Sequence, residues 1–279
     1  MVSSTSTPGA RLWNGAVALF MAFFTLNVAG VVAAVVVSSL STRWLGTWLP
    51  TGWTTHWYAS AWDEFQLGDV LTTTFEVAFA VVLLSGLLGV PAGYALARRE
   101  FPGKRAVMLL FLLPLLAPPV TYGIPLATAL YRVGVGGTLW GVILANLVPA
   151  VPFVVLVMAP FVEQIDPKLE AAARVFGAGR LRLFVHVLIP LLAPGALAAL
   201  ILVLVRTIAS FELTFFTAGA DSQTLVVALY YAVFAAGVRA TQSIDAMAVV
   251  YMVASLAWLL VALRFVDPTQ IVGRPRKAA

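Results

Sequence analysis

The chain has 279 residues, of which 61% are hydrophobic and only 10% charged. A soluble domain carries about 25% charged residues, so so little polar surface excludes an ordinary globular enzyme. The net charge of +5 does not indicate nucleic acid, because the basic residues sit in short loops between apolar runs, and the lack of cysteine excludes disulfides, thiol nucleophiles and zinc fingers.

Residues 1–12 form a Ser/Thr-rich tail of the kind that is poorly ordered. Six apolar runs follow, at about 13–38, 70–97, 106–131, 138–162, 183–210 and 241–263. Each reaches the roughly 20 residues a helix needs to cross a bilayer. The first follows Arg11 and is too long for a cleaved signal segment, so it reads as a retained anchor helix. Residues 39–69 form an external loop holding Trp44, Trp48, Trp53, Trp57 and Trp62. Tryptophan favours the membrane–water interface, which places this loop along the outer surface; contact with an external protein is the alternative.

The third run carries Pro114, Pro118, Pro119 and Pro125. Proline removes a backbone donor and clashes with the preceding turn, so this helix should be kinked or broken. Such a break suits either tight packing or the wall of a water-filled path. The stretch 224–237, TLVVALYYAVFAAG, is apolar but too short to cross, and reads as a re-entrant or interfacial helix on the outer side.

Basic residues fix the orientation. With the N-terminus in the cytoplasm, the inside segments hold Arg11, Arg98, Arg99, Lys104, Arg105, Lys168, Arg174, Arg180, Arg182, Arg264, Arg274, Arg276 and Lys277, which is 13 of the 17. The positive-inside rule then favours both termini in the cytoplasm. It also puts the polar island Glu163 to Arg182 on the cytoplasmic side.

Within that island, Asp166 suits an N-cap and Pro167 the first helical position. Ala171, Ala172 and Ala173 are strong helix formers, and Gly177 suits the left-handed residue that ends a helix. A helix over about 167–176 is expected. Arg180 and Arg182 follow it as cytoplasmic anchors before the fifth span.

The run Glu170-Ala171-Ala172-Ala173-Arg174-Val175-Phe176-Gly177, with Pro190 thirteen residues later, resembles the EAA loop of the permease subunits of binding-protein-dependent type I ABC importers. The resemblance covers roughly residues 69–267. It implies an all-α membrane bundle of the MetI-like kind, here with six transmembrane helices, both termini inside. Residues 1–12 would be a cytoplasmic tail, 13–68 an added first helix and external loop, and 268–279 a basic cytoplasmic tail. The resemblance also implies that the loop 163–182 docks on an ATPase, with Glu170, Ala171, Ala172, Gly177 and Pro190 as the coupling residues. One departure stands out. The family's glutamate lies six residues before the glycine, whereas Glu170 lies seven before Gly177 and Ala171 holds the usual place. One residue rotates a helical side chain by about 100°, so docking by shape carries over and the acidic contact does not carry over directly.

Phe211-Glu212-Leu213, Ala218-Gly219 and Gln223 to Val227 resemble, more distantly, the spermidine/putrescine-type branch; related segments occur in sugar permeases. The expected partners are an ABC ATPase dimer that binds ATP and Mg, a second and different permease chain, an external solute-binding protein and the lipid bilayer. The expected location is a bacterial or archaeal inner membrane. No cofactor, metal or nucleic acid is expected on this chain.

Three ionisable residues fall in or beside spans: Glu76, Arg206 and Glu212. Charge in a bilayer costs at least about 2.5 kcal/mol, so such residues face a partner or a polar path. With Tyr122 they are the candidates for lining a translocation pathway. Glu212 would suit a cationic solute, Arg206 opposes one, and Tyr122, Tyr230 and Tyr231 would serve a sugar equally well. Arg206 and Glu212 are six apart and meet only if the helix breaks near Ser210.

No catalytic constellation is present. His56 and His186 are far apart, and Gly103-Lys104 lacks the rest of a phosphate-binding loop. An ATP-independent transporter remains the rival reading, since broken helices also build coupling-ion sites. A membrane scaffold without transport is a third reading, disfavoured by the intramembrane charges.

Overall fold

The computed structural model describes residues 8–44, 47–234 and 239–264. The N-terminal heptapeptide, the basic tail 268–279 and the last part of the 224–237 stretch lie outside the described residues. Among the described residues the regular structure is helical, with one isolated antiparallel bridge between Ser41 and Trp53. Among the described residues, five helices are long and apolar enough to cross a membrane: Leu12–Ser39, Leu67–Arg98, Leu139–Glu163, Leu181–Ile208 and Thr241–Leu263. A sixth span results if Lys104–Leu116 and Pro119–Arg132 count as one; they meet at 100°.

The chain forms two compact units: Phe65–Phe234 with the chain from Tyr251, and the chain up to Glu64 with the stretch ending at Val250. The second of these begins with α1 (Pro8–Ser39), whose side chains are exposed over most of its length. The external loop contains a helix that composition did not announce, α2 (His56–Glu64). Its polar groups find partners within the unit. Trp57 Nε1 donates to Ser41 O at 2.7 Å, Ser39 and Tyr58 share a hydroxyl hydrogen bond of 2.8 Å, and Ser38 Oγ donates to Asp245 at 2.5 Å. Glu64 pairs with Arg239 at 3.1 Å and accepts from Ser243. Trp48 and Trp53 stay exposed.

The larger unit is built on α3 (Leu67–Arg98), α6 (Leu139–Glu163) and α9 (Ile189–Ile208). Val77, Val81, Val154, Met158, Leu192 and Val203 fill the space among them. Two glycines set how closely α3 and α6 approach. A Cβ on Gly89 would lie 2.6 Å from Val154 Cβ, and one on Gly93 would lie 2.7 Å from Met158 Cβ. Without a hydrophobic drive between helices in lipid, such close backbone contact supplies the van der Waals attraction that holds them.

The proline-rich third run is broken, and its two halves are α4 (Lys104–Leu116) and α5 (Pro119–Arg132). The break falls at Ala117 and Pro118, where two successive prolines withhold the N–H groups that would continue the helix. α6 behaves differently: Pro149, Pro152 and Pro160 all lie inside one continuous 25-residue helix. Membrane helices tolerate such prolines where neighbouring groups satisfy the freed carbonyls. Thr138 caps α6 by accepting from Gly141 N at 3.2 Å.

α9 ends at Ile208, and the short α10 (Glu212–Thr217) starts after a three-residue break. The apolar stretch that follows forms α11 (Leu225–Phe234). Its start is pinned to α3, because Thr74 Oγ1 accepts from Leu225 N at 2.8 Å while donating to Val70 O. Phe211, Phe215, Tyr230, Tyr231 and Phe234 stack between α10 and α11, with neighbouring ring centroids from 4.7 to 5.9 Å apart. α12 (Thr241–Leu263) closes the described chain, and its Trp258 stacks on Phe75 at 4.5 Å.

Candidate functional site

The polar island folds into α7 (Pro167–Val175), one residue shorter than its composition suggests. Its start is as expected: Asp166 Oδ1 accepts from Lys168 N at 2.9 Å, and Pro167 opens the first turn. Its end is a full left-handed cap. Gly177 has φ of +82°, Gly177 N donates to Arg174 O, and Ala178 N donates to Ala173 O, both at 3.0 Å.

The surface of α7 divides by side. Leu169, Val175 and Phe176 are exposed, Val175 by 85% and Phe176 by 90%, and Ala171 and Ala172 lie open between them. Leu181 adds an exposed apolar side chain just beyond the glycine cap. Glu170 turns the opposite way and is buried. Arg98 Nε donates to its Oε1 at 2.8 Å, and Tyr94 Oη donates to its Oε2 at 2.7 Å. Arg98 also donates through Nη2 to Ile165 O at 2.8 Å. Arg174 stands 3.7 Å from Oε2 at the edge. The one-residue shift seen in the sequence therefore puts the carboxylate on the inner face of the helix. Tyr94 and Arg98 carried no motif signal; Arg98 counted only toward topology.

After the cap come α8 (Arg180–Leu183) and a π-helical turn, Phe184–Leu188, which runs directly into α9. Ile189 N reaches back to Phe184 O, closing the wider turn. Pro190 is the second residue of α9, directly after the π turn, and the wider turn is where the continuous helix accommodates a residue that has no N–H. His186 is exposed within the π turn.

A cavity of about 350 Å³ opens where α4, α5, α6, α9 and α10 meet. Tyr122, Asn146, Phe153, Arg206, Ser210 and Glu212 line it. The two helix breaks create it, since the α4–α5 bend and the α9–α10 gap both end at its wall. Arg206 lies over the Phe153 ring, 5.3 Å from the centroid. Among the described residues no ion pair joins Arg206 to Glu212, although both face this space. Asn146 is fixed by donating to Val142 O and to Thr214 Oγ1. Of the four pathway candidates, three share the cavity. Glu76 does not; it is exposed on α3. Tyr230 and Tyr231 belong to the aromatic stack. Asn146 and Phe153 were not singled out from the sequence, because neither a buried amide nor one phenylalanine in an apolar run stands out. Among the described residues no cluster of His, Asp and Glu could hold a metal.

Residues 89–270 match the family described as "Binding-protein-dependent transport system inner membrane component". The diacetylchitobiose uptake system permease protein NgcG of Streptomyces coelicolor is 33% identical over 55% of this chain, which spans about half (51%) of that protein's length. The putative molybdenum transport system permease protein YvgM of Bacillus subtilis is 32% identical over 61% of this chain and 81% of its own. The melibiose/raffinose/stachyose import permease protein MelC of Bacillus subtilis is 30% identical over 77% of this chain and 76% of its own. In fold, the chain is similar to a bacterial ABC transporter involved in the import of the acidic polysaccharide alginate, with a TM-score of 0.76 over 94% of this chain and 99% of that one at 17% identity. A likeness to the MetNI methionine ABC transporter has a TM-score of 0.52 over 71% of this chain and 95% of that one, also at 17% identity. By the family match over its helical core, this chain belongs to the inner membrane components of binding-protein-dependent transport systems.

Proposed function

We propose that the chain is a permease subunit that forms half of a translocation pathway and is driven through α7 by a separate ATPase. The observation that carries this reading is the two-sided coupling helix: rigidly capped at both ends, anchored inward by Glu170, and presenting Leu169, Val175 and Phe176 outward. An exposed apolar edge on a polar loop is a docking surface rather than a folding element. Ala171 and Ala172 beside it let a partner approach closely, and Gly177 keeps the helix end free of bulk.

The full assembly on this reading has two permeases, this one and a different chain, two ATPases that bind ATP and Mg, and an external protein that delivers the solute. It resides in a bacterial or archaeal inner membrane with both termini in the cytoplasm. The residues expected to line the pathway are Tyr122, Arg206 and Glu212, with Asn146 and Phe153 added from the cavity. One fixed cation, one anion, an amide and an aromatic face suit a small polar solute. Arg206 weighs against a polyamine and leaves a sugar-like solute as the better fit. Relatives named for sugars and for molybdenum agree with a polar cargo without choosing it.

The test is to purify the tagged chain gently from its native membrane, as wild type and as Phe176→Asp. Wild type should bring an ATPase, a second permease and a binding protein. Phe176→Asp should keep the permease partner and lose most of the ATPase. A wild-type chain that brings no ATPase even after crosslinking would overturn the reading in favour of an ATP-independent transporter.

A further inference from the structure

We infer that Glu170 is a positioning residue for energy coupling: its carboxylate is an internal strut that locks α7 to the cytoplasmic end of α3, so that the coupling helix moves as an extension of the α3–α6 pair and swings against α9. The inference rests on ATPase docking at α7.

The carboxylate has no outward-facing role left to it. Its side chain is 8% exposed, and both oxygens are engaged from α3. Tyr94 and Arg98 lie four residues apart and so present from one face of that helix. The guanidinium is a rigid planar fork, and Arg98 uses it twice, on Glu170 Oε1 and on Ile165 O. One side chain therefore holds both α7 and the turn that joins it to α6. Arg174, which also approaches Glu170, is 64% exposed and lies on α7 itself, so it does not link helices.

The stiffness continues into the membrane. α3 is seated on α6 through Gly89 and Gly93. Beside that seat α6 contributes Phe153 to the cavity, and two turns nearer its start it contributes Asn146. A displacement of α7 is thus passed through the strut and the α3–α6 seat toward the cavity wall. On the other flank the link is made by backbone and apolar packing, with Leu183 and Leu188 buried in the same core as Met158. Phe176, Gly177, Ala178 and Gly179 separate α7 from the four-residue α8, which runs on through the π turn into α9. Among the described residues no ion pair ties α7 to α8 or α9. A charged strut on one side and a connection through Gly177 and Gly179 on the other is the arrangement of a lever that turns at its glycine link.

The chain has no cysteine, so labels can be placed without background. Two nitroxide pairs are used in the ATPase complex in nanodiscs: Arg99→Cys with Lys168→Cys, and Arg99→Cys with Val185→Cys. All three positions are exposed. Distances are measured by pulsed electron resonance without nucleotide and with ATP, Mg and vanadate. In wild type the first distance should hold and the second should change. Arg98→Lys keeps the charge but loses the fork, and Tyr94→Phe removes a single hydroxyl. Both should retain the ATPase with basal hydrolysis within about twofold, let the first distance change on trapping, and cut the nucleotide-driven change in the second at least about twofold. Wild-type distances in both variants would overturn the inference, as would a first distance that changes in wild type. Glu170→Gln decides the remaining case. Loss of the ATPase in that variant, with Arg98→Lys retaining it, would assign Glu170 to the ATPase surface and overturn the strut. A wild-type complex without any ATPase shows itself at purification, before labelling, and condemns the docking reading instead.

Discussion

Gly93→Ala tests the α3–α6 seat with one added carbon. The new Cβ would meet Met158 Cβ at 2.7 Å and Val155 O at 3.1 Å. Carbon atoms settle at about 3.5–4.0 Å, so the helices must part locally by about 1 Å. Met158 Cβ cannot rotate away, because it is attached to the backbone of α6. Overpacking of this kind costs about 1–3 kcal/mol, and the lack of a yielding neighbour places Gly93→Ala at about 2 kcal/mol or more. Gly89→Ala, 2.6 Å from Val154 Cβ, should cost a similar amount. The two are one turn apart on one face, so a single separation relieves both, and the double variant should fall short of the sum. Met158→Ala should not rescue Gly93→Ala, since it retains the Cβ; Met158→Gly should rescue part of it. Gly30→Ala is the control, with nothing within 4 Å of its Cβ. The measurement is an unfolding titration in mixed micelles with increasing dodecyl sulfate. If Gly93→Ala unfolds with the same midpoint as Gly30→Ala, the close seat is not what holds these helices, and the rigid α3–α6 pair fails with it.

Gly177→Asp should reach the membrane and assemble but lose most coupled transport, because it places a left-handed side chain and a negative charge at a helix C-terminus; Gly177→Asn, which tolerates that backbone, should lose much less, and normal transport by Gly177→Asp would refute docking at this cap. Thr74→Val removes the acceptor of Leu225 N and should destabilise by about 1–3 kcal/mol, read as faster amide exchange at the start of α11, whereas Thr74→Ser should preserve protection. Arg206→Gln should leave assembly unchanged and alter solute transport, and an unchanged KM and rate would remove Arg206 from the pathway.

Much of this architecture was legible because lipid imposes simple rules. The apolar runs had to be helices, and Asp166, Pro167 and Gly177 marked both ends of the coupling helix through local backbone chemistry. Consecutive prolines at 118 and 119 announced a break. What was not legible depended on distance. Glu170 meets Arg98 from 72 residues away, and nothing in the local sequence names that partner. The three prolines of α6 argue for another break, yet the helix continues, so proline count alone does not separate a bend from a span. The cavity arises from two breaks far apart in the chain, and its amide and aromatic groups acquire meaning only once α6 and α9 stand beside each other.

The π turn at Phe184–Leu188 sets the phase of everything before it. Such a turn holds one residue more than its α-helical counterpart, and one residue corresponds to about 100° of rotation. Deleting Val185 would therefore not shorten the lever so much as set α8 about 100° out of phase with α9, a twist that the buried Leu183 and the Glu170–Arg98 strut would both have to resist.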